Sequence, residues 1–272
     1  MKDPRISIVI PSLNQRAFLE RAVGSVLEQD YPHRELIVID GGSRDGSAEL
    51  LATLAPHLAF WQSRPDAGPA DALRQGCARA TGDVLAVLNA DDFYLPGALS
   101  RMAAAFGAQP DADVISAHGY LTSPSGTLGV PLFSDSWDPV RFSYGGCVLL
   151  QPSTFFRREA YERAGGFRLS GSLCWDMELW ASLAAAGSHF RTANLFITGF
   201  RLHADSITGR EQLMSARREH ARRVMAEVRG RPENLWDRWR HLWVRISKFA
   251  GHPLRTFRQR WYVHSVLGRW SL

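Results

Sequence analysis

Val84-Leu85-Ala86-Val87-Leu88-Asn89-Ala90-Asp91-Asp92 runs five apolar residues into a polar corner that bears two adjacent carboxylates. A short apolar run bounded by turn residues reads as a buried strand, here Val84 to Leu88, ending on a charged edge. The unit recurs upstream. Ile6 to Ile10, rich in branched residues, closes at Pro11-Ser12-Leu13-Asn14; Leu36 to Ile39 closes at Asp40-Gly41-Gly42-Ser43; Leu58 to Gln62 leads to Asp66-Ala67-Gly68. Residues 16–28 place Leu19, Ala22, Val23 and Val26 at helical spacing, and Ser47 to Ala55 and Ala70 to Ala80 read as two further helices. Alternation of this kind predicts an α/β fold with a parallel sheet covered by helices on both faces.

Beyond residue 110 the pattern loosens. Val114 to His118 reads as a strand, residues 119–145 as loops or a hairpin, Ser153 to Phe156 as a strand and Arg158 to Ala164 as a short helix stopped by Gly165-Gly166. Trp175 to Ala186 is helical and Phe190 to Leu202 extended. Residues 211–229 and 233–250 form two more helices, and Pro253 marks a break. The 272 residues carry a net charge of +5, which divides unevenly: residues 1–210 sum to −4 and residues 211–272 to +9. The basic character belongs to the tail. No stretch reads as a membrane span or secretory signal, and three widely spaced cysteines (Cys77, Cys147, Cys174) give neither a disulfide framework nor a metal-ligand spacing, which suits a cytoplasmic location.

In open α/β sheets ligands bind beyond the carboxyl ends of the strands. Any one Asp/Gly/Asn cluster there is explained by turn chemistry alone; four in succession define one sheet edge as a site. Asp91 and Asp92 carry the sharpest signal, since adjacent carboxylates repel unless a cation or hydrogen-bond donors lie between them. Oxygen ligands suit Mg²⁺ or Mn²⁺ bound together with substrate phosphates. Capping of the helix after Pro96-Gly97 is the alternative, but it needs only one Asp, placed nearer that helix.

Ile6 to Asn14, Asp40 to Ser47, Thr81-Gly82-Asp83, Leu88 to Asp92, Gln151-Pro152-Ser153-Thr154-Phe155-Phe156, Gly165-Gly166-Phe167, Trp175 to Trp180 and Arg201-Leu202-His203 resemble, in order and spacing, glycosyltransferase family 2. The resemblance covers about residues 5–208. It implies a GT-A fold, a Rossmann-like mixed sheet flanked by helices. It also implies an inverting transferase that moves a sugar from a nucleoside-diphosphate sugar to an acceptor hydroxyl in cell-surface polysaccharide or glycolipid assembly. Residues 1–208 would be the GT-A domain, with a nucleotide-sugar half to about 110 and an acceptor half from 111, and residues 209–272 a basic, Trp-rich helical extension. By the same resemblance Pro11, Ser12, Asn14, Asp40, Gly41, Asp66, Asn89, Ala90 and Asp91 would bind the nucleotide. Asp92 would ligate Mn²⁺ or Mg²⁺, with Asp91 and His203 also reaching the metal, and Asp176 would be the general base. Asp176 also opens a helix, where capping and the dipole favour an Asp, and Glu178 is the rival base. The two stand about 200° apart around a helix, so only one faces a site. His203 fits a ligand and a hydrogen-bonded core histidine equally.

Two departures from the family pattern stand out. Gly41 occupies the position where a second Asp commonly reads the base, which leaves uracil preference open, and Arg74 stands where an Asn is frequent. Against an NAD-dependent oxidoreductase, Pro11 to Arg16 holds no glycine, whereas that class needs G-x-G-x-x-G after the first strand. A sugar nucleotidyltransferase would want a Gly- and basic-rich loop at the same place. A non-catalytic nucleotide-sugar binding module would have little use for Asp91, Asp92 and Asp176 together. In the tail, Leu235, Trp236, Trp239, Leu242, Trp243, Ile246 and Phe249 recur at helical spacing among arginines, followed by Phe257, Trp261 and Trp270. That pattern suits either an anionic membrane surface, met peripherally through residues 233–272 by an enzyme with a saccharide or lipid-linked acceptor, or an apolar stripe packed on the catalytic domain. No nucleic-acid-reading motif accompanies the charge.

Overall fold

The computed structural model describes residues 3–169, 173–203, 206, 211–251 and 253–267. Strands β1 (Ile6–Ser12), β2 (Arg34–Asp40), β3 (Phe60–Ser63) and β4 (Val84–Val87) alternate with helices α1 (Arg16–Leu27), α2 (Ser47–Leu54) and α3 (Pro69–Cys77). β5 (Phe93–Tyr94), α4 (Ala98–Ala108), β6 (Val114–Thr122), β7 (Leu128–Leu132), α5 (Pro139–Ser143), β8 (Thr154–Arg157), α6 (Arg158–Arg163), α7 (Trp175–Ala185) and β9 (Phe190–Arg201) follow. Helices α8 (Met214–Arg229), α9 (Leu235–Gly251) and α10 (Pro253–Leu267) end the described chain.

The sheet runs β3-β2-β1-β4-β8-β6-β9-β5, with β7 paired to β6. Its first four strands are parallel. β8 then enters antiparallel to β4 and β6, so the sheet is mixed. Central strands buried on both faces need no polar alternation. Ile6, Ile8 and Ile10 face a core layer with Leu19, Val23 and Phe106, while Val9, Ile37 and Ile39 face the opposite layer with Leu73, Leu179 and Trp180.

Three boundaries differ from expectation for local reasons. β6 continues to Thr122 because it finds β9 on one side and β7 on the other, which turns part of residues 119–145 into a hairpin. Pro253 is the first residue of α10, not merely a break, since proline suits a first helical turn whose N–H has no partner to lose. Helix α8 is packed into the domain: Val224 is fully buried in the layer that holds Leu179 and Trp180. His220 Nε2 lies 2.9 Å from Glu178 Oε1, both side chains buried, and so ties α8 to α7.

Helices α9 and α10 lie outside that core with their faces inverted. Asp237 is buried between Arg231, whose guanidinium donates to both its carboxylate oxygens at 2.6 and 2.9 Å, and Tyr144, whose hydroxyl donates at 3.0 Å. His241 Nδ1 lies 2.9 Å from the Tyr144 carbonyl, Lys248 pairs with Asp135, and Val244 is buried. Of the apolar stripe expected from the sequence, Leu235, Trp236, Trp239, Leu242, Trp243 and Ile246 face outward. On α10, the Tyr262 ring lies over Gly129 of β7, where any side chain would collide with it, and Gln259 donates to the Pro131 carbonyl at 2.8 Å. Arg269 and Trp270 lie outside the described residues.

Candidate active site

A cavity of about 470 Å³ opens at the carboxyl ends of the parallel strands. Pro11, Ser12, Asp66, Asn89, Ala90 and Asp91 line it from the sheet edge, and Asp176 closes it from the first turn of α7. The four polar corners do form one edge, but two of their residues, Asp40 and Asn14, serve it from behind. Asp40 is fully buried. Its carboxylate accepts the Gly42 and Ser43 N–H groups at 3.2 and 2.9 Å and the Ser63 hydroxyl at 2.6 Å, so it shapes the loop that follows β2. Asn14, in the left-handed region at φ 53°, donates its N–H to Ser43 Oγ at 2.7 Å and accepts the Arg44 N–H at 3.0 Å, joining the first loop to the second. Neither lines the cavity. Gly41 lies against Asp66: a Cβ there would stand 3.0 Å from Asp66 Oδ2, so a side chain at that position would have to displace the Asp66 carboxylate. Burial, with Asp71 and Asp40 nearby, raises the Asp66 pKa above the ordinary carboxylate value, and the Gly68 N–H partly offsets it with a 2.8 Å hydrogen bond.

Asp91 and Asp92 part company after β4. Asp91 faces the cavity, and its Oδ2 lies 3.0 Å from His203 Nε2. Asp92 turns inward, 1% exposed, and accepts the Arg201 N–H at 2.9 Å. Burial and its charged neighbour push its carboxyl well above the usual range. The Asp92 carboxylate is therefore a brace between the strand end and β9, and it does not reach the cavity. The family resemblance makes Asp92 a metal ligand; in this structure its carboxylate is held by the Arg201 N–H and the Asn89 amide, apart from the residues that line the cavity. Arg201 braces the same corner, donating Nε–H to the Asp91 carbonyl at 2.7 Å and a guanidinium N–H to the Pro124 carbonyl of the β6–β7 turn.

The rivalry on α7 resolves by direction. Glu178 is spent on His220, whereas Asp176 lines the cavity. Asp176 is not the cap of α7 either; Cys174 holds that position without a side-chain cap bond. Burial raises the Asp176 pKa, while the Arg217 and His220 charges draw it back down. Trp175 lines the cavity beside it, edge-on to Phe167 at 5.6 Å, and Trp180 belongs to the core.

Several lining residues carried no assigned role in the sequence, among them Gln151, Leu213 and Arg217. Gln151 donates to the Val87 carbonyl at 2.8 Å and accepts from Asn89 at 2.9 Å, which orients the Asn89 amide. Leu213 and Arg217 reach the cavity from the start of the C-terminal helices, far from any recognisable motif.

A divalent cation could be held at Asp91, whose carboxylate oxygen is the kind of donor that suits Mn²⁺ or Mg²⁺; His203, buried and outside the cavity lining, contacts that carboxylate through Nε2 and would add a nitrogen donor only by giving up that contact. Among the described residues no group of three or more His, Cys, Asp or Glu converges, so a cation there would complete its shell with phosphate oxygens and water.

A mixed sheet with a cavity at its strand ends, lined by Asp66, Asp91 and Asp176, is the arrangement of the GT-A glycosyltransferase fold. Over residues 7–161 the chain matches the model of glycosyl transferase family 2, and it belongs to that family. An uncharacterized glycosyltransferase of Mycobacterium tuberculosis is 34% identical over 179 residues, 64% of this chain and 67% of the relative. A PGL/p-HBAD biosynthesis glycosyltransferase of Mycobacterium bovis is 29% identical over 185 residues, 66% of this chain and 70% of the relative. Among solved structures, Staphylococcus aureus TarS 1-349 with UDP-GlcNAc aligns at TM-score 0.63 and 16% identity, over 82% of this chain and 66% of that one. The match spans 43% of the longer TarS chain. Mannosyltransferase PcManGT of Pyrobaculum calidifontis, in complex with GDP-Man and Mn²⁺, aligns at 0.59 and 18% identity, over 97% and 85% of the two chains. At such identities the likeness is one of fold.

Proposed function

We propose that this glycosyltransferase moves a sugar from a nucleoside-diphosphate sugar to an acceptor hydroxyl with inversion at the anomeric carbon. The observation that carries the reading is that Asp176 on α7 and Asp91 after β4 line one cavity from separate elements. The nucleoside lies along Pro11, Ser12 and Asp66, and the diphosphate lies toward Asn89, Ala90 and Asp91. Asp91 and His203 hold a divalent cation, whose chemistry there is to neutralise charge on the departing diphosphate. Asp176 accepts the proton of the acceptor hydroxyl as that oxygen bonds to the anomeric carbon, and the sugar–phosphate bonding pair leaves with the nucleoside diphosphate. A carboxyl raised in pKa by burial is a stronger base than a solvated one, and the Met177 N–H and the Arg217 charge partly offset that rise. Arg217 also offers a cation to the phosphates or to an anionic acceptor.

TarS and PcManGT were solved with different nucleotide sugars, one of them with Mn²⁺; both kinds of donor and that cation are compatible with this cavity. The acceptor is a saccharide or lipid-linked saccharide of cell-surface assembly. A peripheral place at an anionic membrane is supported by the exposed apolar side chains of α9 and α10, from Leu235 to Trp261. No described helix is long and apolar enough to cross a membrane.

The test is Asp176→Asn. Asn keeps the shape but accepts no proton, so transfer falls by roughly 10²–10⁴-fold while nucleotide affinity is retained. Turnover at the wild-type rate would remove Asp176 from the base role.

A further inference from the structure

Helix α9 is inside out for a helix packed on a soluble domain. At about 100° per residue, Asp237, His241, Val244 and Lys248 fall on one side, and that side is docked on Tyr144 and Asp135. Leu235, Trp236, Trp239, Leu242, Trp243 and Ile246 fall on the opposite side, each 49–76% exposed. Leu254, Phe257 and Trp261 repeat the stripe on α10 at 56–79% exposure. A soluble chain rarely leaves so many large apolar side chains together in water, and here the polar residues hold the fold while the apolar ones face out.

We propose that this face lies in the interfacial layer of an anionic membrane leaflet, with α9 parallel to the surface and its arginines at the headgroups. The proposal rests on the peripheral-membrane reading given above and assigns the surface, the pose and the lipid charge. Three observations favour a lipid partner. Residues 233–267 carry seven Lys and Arg against two Asp and Glu; with Asp237 enclosed by Arg231 and Tyr144, Lys248 paired to Asp135 and Arg240 bonded to Tyr144, the remaining charge is still positive. Four of the nine tryptophans stand on this face, the residue type that settles at the boundary between headgroup and acyl chain. A symmetric pairing of two copies would set one net-positive face against another, whereas anionic headgroups meet the face with opposite charge.

The face is rigidly coupled to the site. Tyr262 and Gln259 of α10 hold β7. β7 pairs with β6, and the turn between them is gripped by Arg201, which also holds the Asp91 backbone. Docking therefore fixes the orientation of the cavity toward the leaflet, as an enzyme with a lipid-anchored acceptor requires.

The test is sedimentation of the full chain with vesicles of phosphatidylcholine, with and without phosphatidylglycerol, at low and high salt. It is repeated on the triple variant Trp236→Glu, Trp239→Glu, Trp243→Glu. These side chains are exposed, so the variant folds, and its thermal shift with nucleoside diphosphate and Mn²⁺ in solution verifies this. Wild type pellets with phosphatidylglycerol vesicles and is released by salt; the variant loses binding by roughly tenfold or more. Brominated lipid quenches the wild-type tryptophan emission. Wild type that stays in the supernatant overturns both the pose and the membrane reading. Equal pelleting of wild type and variant overturns the pose alone. A wild-type dimer that the variant dissolves, without vesicle binding, makes the face a contact between copies. Nucleotide binding is read separately, so none of these outcomes bears on the transfer chemistry.

Discussion

Asp91→Asn and Asp92→Asn, compared side by side, test the way the two adjacent carboxylates divide their work. A ligand that binds only the folded state stabilises it by about 2.7 kcal/mol at a hundred times its Kd. In a chain of this size 1 kcal/mol moves Tm by about 2–4 °C, so saturating Mn²⁺ and nucleoside diphosphate raise the wild-type Tm by about 5–11 °C. On the proposed reading Asp91, which lies 3.0 Å from His203 Nε2, would supply one of two protein donors to the cation. Its amide is a poor ligand, and a hundredfold loss in metal affinity, about 2.7 kcal/mol, erases the metal-dependent part of that shift. Asp92 is 1% exposed and accepts the Arg201 N–H through one oxygen. The Asn amide oxygen accepts the same bond, so Asp92→Asn changes stability by no more than about 1 kcal/mol and leaves the metal-dependent shift in place. Differential scanning fluorimetry with and without Mn²⁺ reads both. A shift that survives in Asp91→Asn and vanishes in Asp92→Asn would refute the assignment.

Other outcomes follow from single contacts. Asp176 must be ionised to accept a proton, so kcat/KM falls as the pH drops through its pKa; Arg217→Met removes a charge that lowers that pKa, and the acid limb of the profile moves to higher pH. An unmoved limb would place Arg217 out of electrostatic reach. His220→Ala strips Glu178 of a 2.9 Å buried partner and lowers stability by about 1.5–3 kcal/mol in chemical denaturation; no loss would mean that the contact holds nothing between α7 and α8. Gly41→Ala drives a methyl against the Asp66 carboxylate and weakens nucleotide binding in calorimetry, whereas unchanged affinity would remove Asp66 from the nucleoside end.

The strand ends were legible because turn chemistry and buried strands leave local signatures, and Asp66, Asn89 and Asp91 fall where those signatures place them. What was not legible depends on partners distant in the chain. Asp91 and Asp92 are equivalent in the sequence, and only the Arg201 backbone, over a hundred residues later, separates them. Helical spacing shows that Asp176 and Glu178 cannot share a site, but His220 on α8 decides which one is withdrawn from it. Arg217 and Leu213 sit in a segment that reads as appendage until Val224 is seen in the core. The amphipathic stripe of α9 was plain, whereas its direction was not, because it depends on Tyr144 and Asp135 offering polar partners to the opposite face.

The most direct test of the account is a crystal structure of the protein with Mn²⁺ and a nucleoside diphosphate. The account predicts the nucleotide in the cavity between Asp66 and Asp176, with the cation on Asp91 and His203 and the Asp92 carboxylate still on the Arg201 N–H. A nucleotide bound elsewhere, or a cation held by Asp92 with Asp91 turned away, would contradict it.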